Sequence, residues 1–557
     1  MLRSLGAEAR SAKAARALIV CAAIAVALLT AGWRFLTFTG FNNDHYIYLS
    51  GAQQIVLGEW PVRDFVDPGW PLMYGVPAVA RLLLGRELWV ELLLVSTAFA
   101  VGAAFTLAAA ARLSGSIALA LMVTLLEIGL NPRSFGYPKL LLYAIAAWAF
   151  VAATRQMTGR RAVLLAALTV VAFLFRHDHG LYIGGGSFVA VLLGSAREGR
   201  QMMLRRSAIF GAAILLFVLP WAIFVQYQVG LIDYFRPALE FSRNEAEGTV
   251  LRSLPRLDFS GTAVAAQVNW EAWLFYLFYA MPLVSLSLAW PHARGGRERW
   301  PGESAGIAAI AVMAVAMNVG FIRTPLSARL PDAGAPAAIL GAWLIGVAFD
   351  ARATTVRRVA LTVAAVVFVL TAKAVSVIGD VPGELNRAGV LNRAGAMSER
   401  IDDLRERLRQ TMPRGSHVPS RNSEALLPFY GFVERCTSPR DRLVMTGLSP
   451  DVFVLANRGF AGGQMAYRPA FYASEKDQRK AIARMQSQSV PFVIVSLEEE
   501  AGFRGALPLV AAYLDAHYQP LAQIRVPDTR GLQLYVEKGR RSAGLDKETG
   551  WPCFSRS

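Results

Sequence analysis

Long apolar runs recur along the first two thirds of the chain and stop at Gly379-Asp380. A helix that crosses a bilayer needs about 20 predominantly apolar residues. Runs that approach this length lie at about 17–36, 88–111, 115–130, 138–154, 161–175, 180–195, 207–228, 272–290, 304–321, 333–349 and 358–378. The pattern predicts a polytopic α-helical membrane protein with about eleven spans over residues 1–379. Beyond 380 the period changes. Residues 396–410 (AMSERIDDLRERLRQ) read as a charged helix, and RLVMTGL (442–448) and PFVIVSL (491–497) as buried strands bounded by turn residues. Helices are expected at 476–488 and 507–518 and a further strand at 532–538, which makes 380–557 a soluble α/β domain. Gly462-Gly463 reads as a turn and Glu498 to Glu500 as a solvated face.

Segment 71–84 is amphipathic, short and proline-rich, and parity decides its reading. If it crossed the membrane, the basic clusters Arg155 to Arg161, Arg197 to Arg206 and Arg294 to Arg299 would all face outward. If it lies along the interface, these clusters and Arg352 to Arg358 all face the cytoplasm, as basic loops do. The second choice places the N-terminus in the cytoplasm, reads 17–36 as an uncleaved first span, and puts the first outer loop, 37–87, and residues 380–557 outside.

Composition sharpens this picture. Of 557 residues, 54% are hydrophobic and 17% charged, where a soluble chain has roughly 25% charged. The net charge of +17 lies in the loop clusters, so it marks topology and no nucleic-acid partner is expected. Of the three cysteines, Cys21 falls in an apolar run, while Cys436 and Cys553 share the domain assigned to an oxidising compartment, where a disulfide between them is expected. The chain lacks CxxC and HxxxH spacings. His45, His177 and His179 with Asp178 form a sparse ligand set, and no metal site is expected.

The polar residues are one-sided. The first outer loop, TGFNNDHYIYLSGAQQIVLGEWPVRDFVDPGWPLMY, holds Asp44, His45, Arg63, Asp64 and Asp67 next to the membrane, where ionisable groups are costly and point to function. Other outer segments carry Arg133 and Lys139 (NPRSFGYPK), Arg176 and Asp178 (FRHDHG), Arg236 and Arg243 (DYFRPALEFSR), and Arg323 and Arg329 (FIRTPLSARLPD). Read blandly, the same residues anchor helix ends at the interface, and Asp44 caps a helix that begins at His45.

A first span followed by an acid in a long outer loop resembles the GT-C superfamily of membrane glycosyltransferases. GEWPVRDFVDPGWPLMY is similar to the G-x-x-P-Y-R-D-F-x-D-x-x-P-P pattern of its protein mannosyltransferase and aminoarabinose transferase branch, with Val62 in place of the usual Tyr. The resemblance implies an enzyme that moves a sugar from a polyprenyl-phosphate donor to an acceptor on the outer face of a bacterial inner membrane. It makes Asp44 the catalytic acid. The usual acidic pair is absent, because Asn43 and His45 flank Asp44, so Asp64, Asp67 and Asp178 stand as candidates for a second acid. A carboxylate can take the proton of an attacking hydroxyl, and the departing lipid phosphate needs cationic donors, for which Arg323, Arg329 and Arg176 are the leading candidates. Some GT-C members use a divalent ion and others do not, so no cofactor follows. The acceptor class stays open among glycan, lipid and protein hydroxyls. Two other readings are a flippase for a lipid-linked glycan and a non-catalytic assembly partner of the same fold. A transporter, however, is expected to carry its ionisable groups on broken helices at the midplane.

The topology is testable. A reporter that fluoresces only in the cytoplasm should stay dark when fused after Lys538, and a bright fusion would overturn the assignment.

Overall fold

The computed structural model describes residues 2–237, 239, 254–294, 296, 298–319, 329–390, 395–409, 426–469, 472–526 and 529–554, the side chains of 2–13, 263 and 407–409 apart. Each of the eleven apolar runs carries a helix. From the N-terminus, α1 is Leu2–Leu36, α2 Asn43–Val56, α3 Pro71–Leu84, α4 Leu88–Ser114, α5 Ile117–Gly129, α6 Tyr137–Thr154, α7 Gly159–Phe175, α8 His177–Ala196 and α9 Arg200–Gln228. Helices Ala263–Arg294, Glu303–Asn318, Gly334–Phe349 and Thr354–Ile378 follow. Among the described residues, eight helices are long and apolar enough to cross a membrane, which makes this a multi-pass helical membrane protein. Three expected spans are shorter: α5, α7 and Glu303–Asn318 have 13, 17 and 16 residues. At 1.5 Å per residue they reach about 20–26 Å, less than the roughly 30 Å hydrocarbon layer. α5 is bounded by the Ser116 cap and, just after its end, by Asn131 in the left-handed region. The doubtful segment 71–84 is helical over its whole length.

The contacts divide the chain into two compact units. The first comprises residues 1–37, 95–220 and 249–400. Its helices approach closely where side chains are small, as expected where the surrounding solvent is lipid. A Cβ added at Gly186 would lie 2.7 Å from the Phe150 ring and 2.9 Å from the Ala309 carbonyl oxygen. Several residues of the basic clusters are tied within this unit. Arg206 grips Glu198 with both terminal nitrogens, at 2.7 and 2.6 Å, and the Arg299 amide donates to the buried Glu303 carboxylate at 2.6 Å.

The second unit comprises residues 38–94, 221–248 and 401–557. Its sheet has strands β1 (Arg442–Met445), β2 (Gly459–Phe460), β3 (Phe492–Ser496), β4 (Tyr518–Ile524) and β5 (Leu532–Glu537) in the order β2-β1-β3-β5-β4. β1 is parallel to β2 and β3, while β5 is antiparallel to β3 and β4. Val444, Val493 and Val495 pack against Ala481 and Met485 of helix Glu475–Ser487 and Val510 and Leu514 of helix Pro508–His517. The three expected strands are present and shorter. β2 has only two residues, too few to show alternation. β4 starts at Tyr518, where a helix was expected to end, and tolerates Pro520 because it is an edge strand with an irregular register there.

At the other edge of the sheet lies β2, and the stretch 38–94 covers it. Gln54 Nε2 donates to the Phe460 carbonyl at 2.9 Å, and the Val66 amide to the Gly463 carbonyl at 3.0 Å. Phe65, 1% exposed, meets the Phe460 ring edge-on at 5.6 Å. Arg442 of β1 pairs with Glu59 at 2.9 Å. The Gly462-Gly463 turn has φ of 67° and 72°, a conformation that glycine adopts at little cost.

Cys436, at the end of helix Leu427–Cys436, is bonded to Cys553, and the Phe554 amide donates to the Cys436 carbonyl at 2.8 Å. The bond closes a separation of 117 residues, which is worth about 5 kcal/mol in the chain-entropy account. A non-reducing peptide map should contain the linked peptide, and Cys553→Ser should lower the thermal stability of the sheet-bearing unit by an amount of that order. Identical reducing and non-reducing maps would exclude the bond.

Candidate functional site

Asp44 lies in the first turn of α2. The helix begins at Asn43, and Asn42 is its cap, with its side chain accepting the His45 amide at 3.1 Å. This corrects the bland reading in which Asp44 caps a helix that starts at His45, because an Asn two residues earlier already does that work. Among the described residues the half-buried Asp44 carboxylate has no hydrogen bond or ion pair. Its neighbour His45 is a core residue. It is fully buried, stacked on Phe41 at 4.4 Å, with Nε2 2.7 Å from Glu91 Oε1. α2 turns His45, Tyr46, Tyr48 and Leu49 inward, while Ile47, Ile55 and Leu57 stay partly exposed.

The motif downstream is a tight turn. The Val62 amide donates to the Phe65 carbonyl at 2.8 Å, and the Asp64 amide to the Trp60 carbonyl at 2.9 Å. Asp64 pairs with Arg63 at 2.6 Å and accepts the Trp60 amide at 2.8 Å, so its charge is spent on the turn. Val62, where the related pattern has Tyr, holds a φ of 72° while buried against Val225 and Tyr234. A β-branched residue rarely adopts that conformation.

Asp67 is 4% exposed. Its Oδ1 accepts the Gly69 and Trp70 amides at 3.0 and 2.7 Å, which orders the entry to α3, and its Oδ2 accepts the Tyr234 hydroxyl at 3.0 Å. Burial pushes its pKa up to about 6, against the opposing pull of the Trp70, Gly69 and Tyr234 hydrogen bonds. Asp67 lines a cavity of about 770 Å³ together with Tyr234, Arg236, Lys476, Lys480 and Arg484. Asp233 offsets part of this charge through Lys476 at 3.0 Å and Arg236 at 3.3 Å.

In the helical unit, several of the expected outer residues meet. Lys139 and Asp332 pair at 2.5 Å, Arg176 and Asp178 at 2.9 Å, and His179 Nε2 lies 3.7 Å from Asp178. These five and Arg329 line one small polar pocket with about 40 Å³ open. His177 faces elsewhere, stacked on Phe173 at 4.0 Å with Nδ1 2.9 Å from the Phe173 carbonyl. Two residues beyond Asp332, Gly334 lines an apolar cleft of about 490 Å³ with Leu126, Phe278, Met281 and Phe368. Arg323 and Arg243 lie outside the described residues. Arg133 lines neither of these spaces.

The structure thus groups Arg176, Asp178 and Arg329, seats Asp67 at a separate cavity, and leaves Asp44 unengaged. Sequence reasoning passed over Asp332, Tyr234, Lys480 and Arg484. Asp332 was legible as the acid after Arg329, whereas the others depend on contacts between distant stretches.

No protein-family model matches this chain, and no curated protein matches it. Among solved structures it is similar to the crystal structure of ArnT from Cupriavidus metallidurans in the apo state, with 14% identity, coverage of 94% of this chain and 98% of that chain, and a TM-score of 0.48.

The raised pKa of Asp67 has a measurable sign. The folded state holds this proton more tightly than the unfolded chain, so the group's contribution to stability is full below about pH 4 and is lost as pH rises through about 6. The loss amounts to about 3 kcal/mol. Asp67→Asn keeps an acceptor for the amides and does not titrate. In thermal melts between pH 4 and 7 it should remove a decline of that order, and superimposable pH profiles for parent and variant would refute the assignment.

Proposed function

We propose that the protein is an integral membrane glycosyltransferase of the GT-C type. It moves a sugar from a polyprenyl-phosphate donor to a hydroxyl of an envelope acceptor, with inversion, on the outer face of a bacterial inner membrane. The observation that carries this reading is the pairing of two environments through one short turn. The pocket with Lys139, Arg176 and Arg329 holds three cations against the carboxylates Asp178 and Asp332, and the 332–334 turn leads from it to the apolar cleft. An anionic head on an isoprenoid chain has that polarity. Arg176 and Arg329 offer planar forks that suit a phosphate, which would compete with the carboxylates that now fill the pocket. The first-loop motif and its acid point to the same chemistry.

Asp44 is the general base of this reading. The acceptor hydroxyl oxygen bonds to the anomeric carbon as the bond from that carbon to the phosphate oxygen breaks. The hydroxyl proton passes to Asp44, and the polyprenyl phosphate leaves with the electron pair. Asp64 and Asp178 are each held by an arginine and Asp67 is buried, so Asp44 is the acid of the four whose carboxylate carries no structural duty.

Asp44→Asn keeps size and cannot take the proton. With a labelled polyprenyl-phosphate sugar, turnover should fall by about 10²–10⁴-fold, as for loss of a positioned base, with donor binding retained. Parental turnover in this variant would remove Asp44 from the mechanism. Leaflet exchange of the donor without bond cleavage by the parent protein would replace the enzyme with a flippase.

A further inference from the structure

A second polar cleft, of about 570 Å³, lies in the sheet-bearing unit away from Asp67. It opens at the carboxyl ends of two parallel strands. Leu448 and Ser449, just past β1, and Ser496, Glu498 and Glu499, at and beyond the end of β3, form one side. From β1 the chain goes to β2 on one flank and then returns to β3 on the other. Crevices at such a reversal are where open α/β sheets hold their ligands. The opposite side is the first turn of α2, with Asn42, Asn43 and Tyr46, and Asn43 Nδ2 ties it to the Leu448 carbonyl at 2.7 Å.

Two features show what would fit. Among the described residues, the charged side chains that line the cleft are Asp451, Glu498 and Glu499, and no lysine, arginine or histidine lines it. Phosphates, sulfates and carboxylates are therefore repelled. The acids also do not converge as metal ligands do. Among the described residues, the one grouping of that kind is Asp546 with the bonded cysteines 436 and 553. Independently of the acids, Tyr46 is 5% exposed and lines the cleft, and its hydroxyl has no hydrogen-bond partner among the described residues. Burial, with Asp451 adding to it, raises the pKa of this phenol, so it remains a protonated donor. Carboxylates that accept hydroxyl or ammonium protons, amides that do both, a buried phenol and the apolar ring of Phe41 are what a sugar with its alternating polar edge and apolar face requires. The volume falls within the range of small-molecule sites, about 300–1,000 Å³.

We propose that this cleft binds the acceptor as an uncharged or amine-bearing saccharide. This rests on the glycosyltransferase reading, and it fits that reading because Asp44 shares a helical turn with Asn43 and Tyr46.

The test uses the full chain in lipid nanodiscs and three probes in ligand-observed NMR and titration calorimetry. These are the diamine chitobiose, its neutral diacetyl form, and glucose 6-phosphate. The two disaccharides should bind and the phosphate should not. Glu498 and Glu499 are exposed, so the Glu498→Gln/Glu499→Gln pair tests charge without disturbing the core. It should weaken the diamine roughly tenfold or more, as expected for loss of charge-assisted hydrogen bonds. Tyr46→Phe should weaken both disaccharides, and if it unfolds the protein the glutamate pair still decides. Binding of the phosphate as tight as that of the neutral probe, or unchanged binding of every probe by the glutamate pair, would overturn the proposal. Donor turnover by the parent protein is measured separately. Turnover without disaccharide binding removes the cleft and keeps the enzyme, whereas disaccharide binding without turnover removes the enzyme.

Discussion

The seam between residues 38–94 and the open edge at β2 is the constraint on which the second unit depends. A two-residue edge strand exposes backbone groups that would pair with any passing strand. Here the Gln54 side chain takes the Phe460 carbonyl, the Val66 amide takes the Gly463 carbonyl, and Phe65 seals the join. The Arg442–Glu59 pair is largely buried, so loss of either partner would strand a charge, which typically costs about 3–5 kcal/mol. Both large clefts of this unit are built across the seam. One is lined by residues 62–67 and 462–484, the other by 39–46 and 448–532. Neither would exist if the sheet and the loop folded apart.

The same seam sorts the acids of the first loop. Asp44, Asp64 and Asp67 lie within 24 positions and look alike in the sequence. Folding separates them by what each must hold. Asp64 closes a turn with Arg63, and Asp67 trades hydration for two amides and a phenol. Asp44 is relieved of capping by Asn42. A carboxylate engaged on several sides gives up some of those contacts when it takes a proton, and Asp44 has none among the described residues to give up. The general-base role proposed for Asp44 rests on this division of labour and not on its charge alone.

The membrane helices were legible because a run of apolar residues has few alternatives in lipid. Their lengths were less so, since α5 starts at the Ser116 cap and stops just before a left-handed Asn131, neither of which hydropathy registers. The strands β1 and β3 were legible as apolar runs and β5 as a strand whose buried positions alternate, whereas the two residues of β2 carry no pattern. Among the candidate residues, the cluster at Arg176, Asp178 and Arg329 could be read as outer ends of helices that must share a surface. The cleft with Tyr46 and Glu498 could not, because it joins positions about 450 residues apart, and the triplet Glu498 to Glu500 looks like any solvated face until the end of β3 and the first turn of α2 frame it.

That distance also governs how the protein is made. Asn43 and its partner Leu448 are 405 residues apart, and chains are synthesised at about 5–20 residues per second. The first loop therefore waits for roughly 20–80 s before the edge it covers has been translated. Through that interval Phe65 lacks the Phe460 ring and Gln54 the Phe460 carbonyl. During biosynthesis the apolar groups that meet the sheet edge in the folded unit are therefore exposed until that edge is made.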